Sequence, residues 1–127
     1  MKRVTVFLLA FFLIACQPAA GSFTNLNPTE LNTMLADKDF VFVNVHIPFE
    51  GDIAGTDLSI PFDRITEPDN LAQLPAQKTA KIVLYCRSGR MSEIAANTLV
   101  GLGYTNVSHL EGGMIAWEQE GFAVIGK

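Results

Sequence analysis

The chain has 127 residues, of which 49% are apolar and 17% charged. That composition excludes a wholly disordered chain, a collagen-like chain and a pair of ordinary-sized domains. Nine basic residues against 13 acidic ones give a formal charge of -4, which argues against nucleic-acid binding through phosphates, and two cysteines cannot build a disulfide framework.

Lys2 and Arg3 precede an apolar run from Val4 to Ala15, interrupted only by Thr5. About a dozen apolar residues are too few to cross roughly 30 Å of hydrocarbon as a helix, and the basic start marks a secretory signal. The run closes on Leu13-Ile14-Ala15-Cys16, which resembles the lipobox of bacterial lipoproteins. The resemblance implies a signal peptide over residues 1–15, cleavage before Cys16 and acylation of its thiol. The anchor is then expected to face the periplasm in a bacterial cell envelope, and Gln17, not Asp, after the cysteine implies the outer membrane if the cell is Gram-negative. A soluble secretory signal cut after Ala20 is the alternative. Cleavage before Cys16 removes Lys2 and Arg3 and leaves 7 basic against 13 acidic residues, a formal -6. Cys86 is then the one free thiol, and a lone thiol in an oxidising compartment points to chemistry more than to structure.

Residues 16–27 are expected to be a lipidated amino-terminus and a polar tether, with the folded domain over 28–127. Asn27-Pro28-Thr29-Glu30 opens a helix, with Asn27 as cap, Pro28 at the first helical position and Leu31, Met34 and Leu35 at helical spacing. Residues 40–45 are almost continuously apolar and β-branched or aromatic, the mark of a strand buried on both faces. Residues 46–65 read as irregular, with a short edge strand at Ser59-Ile60, and Pro68 to Leu74 as one or two helical turns. Lys81 to Cys86 is a second buried strand, Ser92 to Leu102 a helix, and Val107 to Leu110 a third strand. Gly112-Gly113 leads into a short helix that carries Ile115, Ala116 and Trp117 and stops at Gly121. Alternating strands and helices with short connections predict an α/β domain in three layers, a mainly parallel sheet with helices on both faces. In such sheets function collects at the carboxyl ends of strands. Three loops leave such ends, starting at His46, Cys86 and Glu111.

Cys86-Arg87-Ser88-Gly89-Arg90-Met91-Ser92 runs from a buried strand into a helix. A thiol there faces unpaired helix-start amides, whose partial positive charge stabilises a thiolate. Arg87 and Arg90 add two cations, and Gly89 lets successive N–H groups turn inward as an anion nest. The loop is read as a nucleophile in an anion-binding cradle. Two distant histidines and one thiol do not make a metal site. His109 is read as a packed or surface residue within its strand, and Glu111 is left out because its charge opposes an anionic donor.

The cysteine loop resembles the active-site loop of rhodanese-domain sulfurtransferases, in particular small single-domain periplasmic ones with Cys-x-x-Gly-Arg-x-Ser. Leu110-Glu111-Gly112-Gly113-Met114-Ile115-Ala116-Trp117 resembles the family's Gly-Gly-x-x-Ala-Trp segment. Gly51 to Thr56 and Ile60-Pro61 resemble its Gly-His-Ile-x-Gly-Ala and Ile-Pro segments. The resemblance implies five parallel strands, with the cysteine strand central and flanked by the other two loop-bearing strands. It implies that Cys86 takes a sulfane sulfur from a donor such as thiosulfate, holds it as a persulfide and passes it to a thiol, to cyanide or to a protein acceptor. The amides of residues 87–92 would hold the persulfide, Arg87 and Arg90 the sulfonate end of the donor, and no cofactor or metal is implied. Two departures stand out. The family's Asp-Val-Arg reads Asn44-Val45-His46, and the histidine of Gly-His-Ile is Asp52. Asn44 and His46 are expected to brace the loops by neutral hydrogen bonds, with tuning of the thiolate by His46 as the alternative. A non-enzymatic persulfide carrier or binding module is a rival reading. So is a phosphatase or arsenate reductase, whose Cys-x5-Arg loop would need arginine at 92, where this chain has Ser92.

Overall fold

The computed structural model describes residues 21–127. The expected signal peptide over 1–15, Cys16 and residues 17–20 of the expected tether lie outside the described residues.

Five strands form one parallel sheet: β1 (Thr24–Leu26), β2 (Val41–Asn44), β4 (Leu58–Ser59), β5 (Ile82–Tyr85) and β6 (Val107–Leu110), in the order β1-β6-β5-β2-β4. The cysteine strand β5 is central, with β2 and β6 on either side, as the family resemblance implies. A second, two-stranded sheet pairs β3 (Asp52–Ile53) antiparallel with β7 (Val124–Ile125).

Side-chain alternation along β5 splits the core in two. Ile82, Leu84 and Cys86 point to one face, where α3 (Arg90–Gly101) packs Ala95, Ala96 and Leu99 against them. Ile65, in the turn after a short 3-10 segment, and Leu74, beyond α2 (Pro68–Leu71), complete that face. Val83 and Tyr85 point to the other face, covered by Leu31 of α1 (Pro28–Ala36) and by Met114 and Trp117 of α4 (Gly113–Gln119). Helix α1 starts as its sequence predicts. Asn27 Oδ1 accepts from the Glu30 N–H at 2.8 Å while Glu30 reaches back to the Asn27 N–H, a reciprocal cap.

Residues 24–26, expected to belong to the tether, form β1 instead. Its register pairs Thr24, Asn25 and Leu26 with Ser108, His109 and Leu110, and the Glu111 N–H continues the ladder to the Leu26 carbonyl at 2.9 Å. Thr24 and Asn25 are exposed and Leu26 alone is buried, so an edge strand with one core residue reads as a polar linker. The folded unit thus includes residues placed before the expected start at 28. The edge strand expected at Ser59-Ile60 pairs one residue earlier, Leu58 opposite Val43. Asp57 leads into it: its N–H bonds the Phe42 carbonyl, and its Oδ2 accepts the Phe42 N–H at 2.8 Å.

Candidate active site

Cys86 follows β5 directly and is fully buried. Gly89, with φ +97°, occupies the left-handed region as the cap of α3, so the helix begins at Arg90, two residues before the predicted Ser92. That shift puts Arg90, Met91 and Ser92 in the first turn, where amides have no helical carbonyl to bond. The Gly89 N–H lies 3.0 Å from Cys86 Sγ, and Ser92 Oγ lies 3.6 Å from it. The sulfur is therefore met by a backbone donor and a hydroxyl at the positive end of a 12-residue helix, a setting that favours an anionic sulfur.

The Gly112-Gly113 pair fixes the loop from behind. The Met114 N–H donates to the Cys86 carbonyl at 2.9 Å and the Ile115 N–H to the Arg87 carbonyl at 3.0 Å. The start of α4 thus takes up the loop's carbonyls. This approach requires glycine at 113: φ is +59°, and a β-carbon would fall 2.5 Å from the Cys86 carbonyl oxygen and closer still to that of Arg87.

The two arginines lie on opposite flanks. Arg87 is exposed, stands 3.3 Å from Glu50 Oε2, and lines a hollow of about 400 Å³ with Met114, Ile115, Glu118 and Lys127. Arg90 is also exposed and lines a second hollow of about 380 Å³, with Ser88, Gly89, His109 and Glu111 among its walls. Met91 is half-buried against the α3-side core.

Asn44 is 1% exposed and braces the neighbouring loop. Its Nδ2 donates to the Gly51 carbonyl and to Asp52 Oδ1, both at 2.9 Å, and its Oδ1 accepts the His46 N–H at 3.0 Å. Asp52 Oδ1 also takes the Tyr85 hydroxyl at 3.1 Å, and the Tyr85 oxygen accepts the Ile53 N–H at 3.0 Å. Burial pushes the Tyr85 phenol well above its ordinary value; Asp52 adds to this, while bonds from Thr56 and Ile53 act against it. The ring of His46 pairs with Glu50 at 3.1 Å, and Glu50 in turn meets Arg87.

His109, read from sequence as merely packed or surface, is buried at the site. Its Nδ1 lies 2.9 Å from Ser92 Oγ and its Nε2 2.8 Å from Asn25 Oδ1. The ring stands edge-on to Phe23, with centroids 5.1 Å apart. Burial lowers its pKa below the ordinary 6.5, while Glu93 and Glu111 pull the other way. The sequence carried a usable signal. His109 alternates in phase with Val107, which packs on the α3 side, and therefore faces the same side as Cys86.

The family model described as rhodanese-like domain matches residues 27–120, and the chain belongs to that family. It is 35% identical over 109 residues to the probable adenylyltransferase/sulfurtransferase MoeZ of Mycobacterium tuberculosis, covering 84% of this chain and 27% of that protein. It is 36% identical over 96 residues to the tRNA uridine(34) hydroxylase of Erwinia tasmaniensis, covering 72% of this chain and again 27% of the relative. The chain thus spans about a quarter of the length of these curated relatives. Among solved structures, a rhodanese-like domain protein from Staphylococcus aureus superposes with a TM-score of 0.65 at 30% identity, covering 82% of this chain and all of that one. A rhodanese-related protein from Thermoplasma volcanium gives a TM-score of 0.66 at 26% identity, covering 81% of this chain and 98% of that one.

Proposed function

We propose that this rhodanese-like domain is a sulfurtransferase that carries a sulfane sulfur as a persulfide on Cys86. The observation that carries the reading is the buried Cys86 sulfur at the start of α3, with the Gly89 N–H 3.0 Å away. A backbone donor at that distance stabilises an anionic sulfur, and burial keeps bulk water from it. The Cys86 thiolate attacks the outer sulfur of thiosulfate, and a new S–S bond forms. The bond from that sulfur to the sulfonate group breaks, and sulfite leaves with its electron pair. A thiol, or cyanide in the test tube, then attacks the outer persulfide sulfur and returns Cys86 as a thiolate. Arg90 binds the sulfonate end of the donor, and Asn44 and His46 support the surrounding loops without touching the reacting atoms.

The test combines thiosulfate with cyanide and scores thiocyanate, with intact mass read after thiosulfate alone. Wild type should gain the mass of one sulfur and turn over, and Cys86→Ser should do neither, because its hydroxyl stays protonated and cannot hold a sulfane sulfur. Thiocyanate formation by Cys86→Ser at the wild-type rate would remove Cys86 as nucleophile. A persulfide that forms without steady turnover would make the protein a carrier.

The same proposal places the domain on the periplasmic side of a bacterial membrane, held by a lipid on Cys16. Its support is the basic start, the apolar run and the Leu13-Ile14-Ala15-Cys16 ending. A metabolic fatty-acid label should mark the wild type and not Cys16→Ser.

A further inference from the structure

Sulfur transfer as described uses Cys86 but not the buried polar groups that lead away from it. Cys86 Sγ stands 3.6 Å from Ser92 Oγ, Ser92 Oγ 2.9 Å from His109 Nδ1, and His109 Nε2 2.8 Å from Asn25 Oδ1. Cys86 and Ser92 are fully buried and His109 is 3% exposed. Helix α3, strands β6 and β1 and the residue after β5 supply the chain, and the sheet sets its spacing: His109 lies opposite Leu84 on one side and Asn25 on the other.

Donor and acceptor roles follow from chemistry. Asn25 Oδ1 only accepts, so His109 Nε2 carries a proton. In the neutral ring Nδ1 is then a bare acceptor, and the Ser92 hydroxyl faces both it, at 2.9 Å, and the Gly89 carbonyl, at 3.1 Å. The Cys86 S–H in turn points its proton to Ser92 Oγ. The hydrogen bonds run in one direction, from sulfur to serine to histidine. A thiolate reverses the demand, because it needs the Ser92 proton for itself and leaves Nδ1 buried without a donor. Buried acceptors without donors are costly, and protonation of Nδ1 removes that cost.

We propose that His109 takes up the Cys86 proton through Ser92, turning the buried thiol and imidazole into a thiolate–imidazolium pair bridged by the serine hydroxyl. The S–H bond breaks as Ser92 Oγ gains that proton, and the original Ser92 O–H bond breaks as Nδ1–H forms. Ser92 then donates to the thiolate and accepts from Nδ1–H, while the Gly89 carbonyl, which shares the Ser92 hydroxyl at 3.1 Å, keeps the Glu93 N–H at 3.0 Å. No oxidant, reductant or further reactant takes part. His109 is a positioning residue, since it acts through Ser92, and Asn25 is the group that fixes its tautomer. The setting suits the step. Burial disfavours the imidazolium while the thiol is intact, Glu93 and Glu111 favour it, Arg90 across the same hollow opposes it, and the Phe23 ring covers it. The proposal rests on the reading of Cys86 as the nucleophile.

The test reads the thiolate directly, without sulfur transfer. Iodoacetamide labelling of the Cys86 peptide in the purified full chain is followed against pH by mass spectrometry. In His109→Asn an amide remains to hold Ser92 but cannot take a proton, so half-maximal labelling should move up by about one pH unit. Ser92→Ala should move it similarly, and the double variant no further. An unchanged midpoint in folded His109→Asn overturns the relay. Ring nitrogen NMR of His109 supplies the reciprocal readout, and it decides the matter should the variants fail to fold. His109 should keep its proton to higher pH in wild type than in Cys86→Ser, whose hydroxyl does not ionise; identical titrations overturn the proposal. A shifted labelling profile without thiocyanate production would keep the relay and refute the thiosulfate reaction instead.

Discussion

Asn44 Nδ2 lies 2.9 Å from Asp52 Oδ1, so the amide at the end of β2 and the carboxylate at the start of β3 hold the intervening loop together. The family pattern puts a carboxylate at the first of these positions and a histidine at the second. Here the acid stands at 52 and a neutral donor at 44. The two departures thus meet in one hydrogen bond, an amide donor at 44 to a carboxylate at 52.

Asn44→Asp should therefore destabilise the protein, because it brings two carboxylates together where one residue is 1% exposed. The expected loss is about 2 kcal/mol at neutral pH, read from urea unfolding. Adding Asp52→Asn should restore most of it. Full stability of Asn44→Asp alone would show that the loop is held elsewhere.

The three strands of the sheet centre were legible as runs of β-branched and aromatic residues, because both of their faces are buried. Gly89 was legible as a point where the backbone can turn its amides inward, but its place as the left-handed cap was not, because the helix was expected to open at Ser92 and opens at Arg90. What escaped depends on partners distant in sequence. The two-residue strands β3 and β7 carry too little pattern to stand out, and they exist because Asp52 and Ile53 meet Ile125 and Val124. His109 needed knowledge of the register, since its role comes from Asn25 on one side and Ser92 on the other.

Strand β1 escaped for the same reason, and its contribution is measurable. A chain beginning at Pro28 loses Leu26, which is 6% exposed, together with the Asn27 cap. Burial of a leucine contributes about 2 kcal/mol and such a cap about 1 kcal/mol. The 28–127 fragment should thus unfold at distinctly lower urea than 21–127. Equal midpoints would return residues 24–26 to the tether.

His109 also predicts how stability responds to mild acid. In Cys86→Ser the thiol no longer titrates, and the folded state holds the ring neutral by burial, with its pKa below the ordinary 6.5. Below pH 6.5 the unfolded chain then binds the proton more readily than the folded one. This contribution to stability is fully present above 6.5 and is lost as pH falls toward the folded value. Asp57 acts in a separate window. Burial opposes its ionisation, but the Lys38 hydrogen bond, the Phe42 N–H and the Lys38 charge together lower its pKa below 3.8, so its contribution disappears only in stronger acid. Urea titrations of Cys86→Ser should show stability declining below pH 6.5, and adding His109→Asn should flatten that decline. An unaltered slope would mean that His109 is not neutral in the folded protein.

The placement of the two arginines predicts unequal roles with thiosulfate. Arg87 stands 3.3 Å from Glu50 Oε2, so part of its charge is already answered, whereas among the described residues Arg90 makes no ion pair. A charge-assisted hydrogen bond to the sulfonate is worth roughly 1.5–3 kcal/mol, and 1.4 kcal/mol is tenfold in rate. Arg90→Ala should cost about tenfold to a hundredfold in thiosulfate kcat/KM, and Arg87→Ala clearly less. Arg90→Lys should recover only part of the loss, because an ammonium cannot present a planar fork. Glu50→Gln should lower the thiosulfate KM by about two- to fivefold, since it frees Arg87 and removes a negative charge from the approach. A persulfide donor without a sulfonate should respond weakly to all four substitutions. Equal losses with both donors would make Arg90 a support of the loop, and a larger loss at Arg87 than at Arg90 would put the sulfonate on the Glu50 side of the cradle.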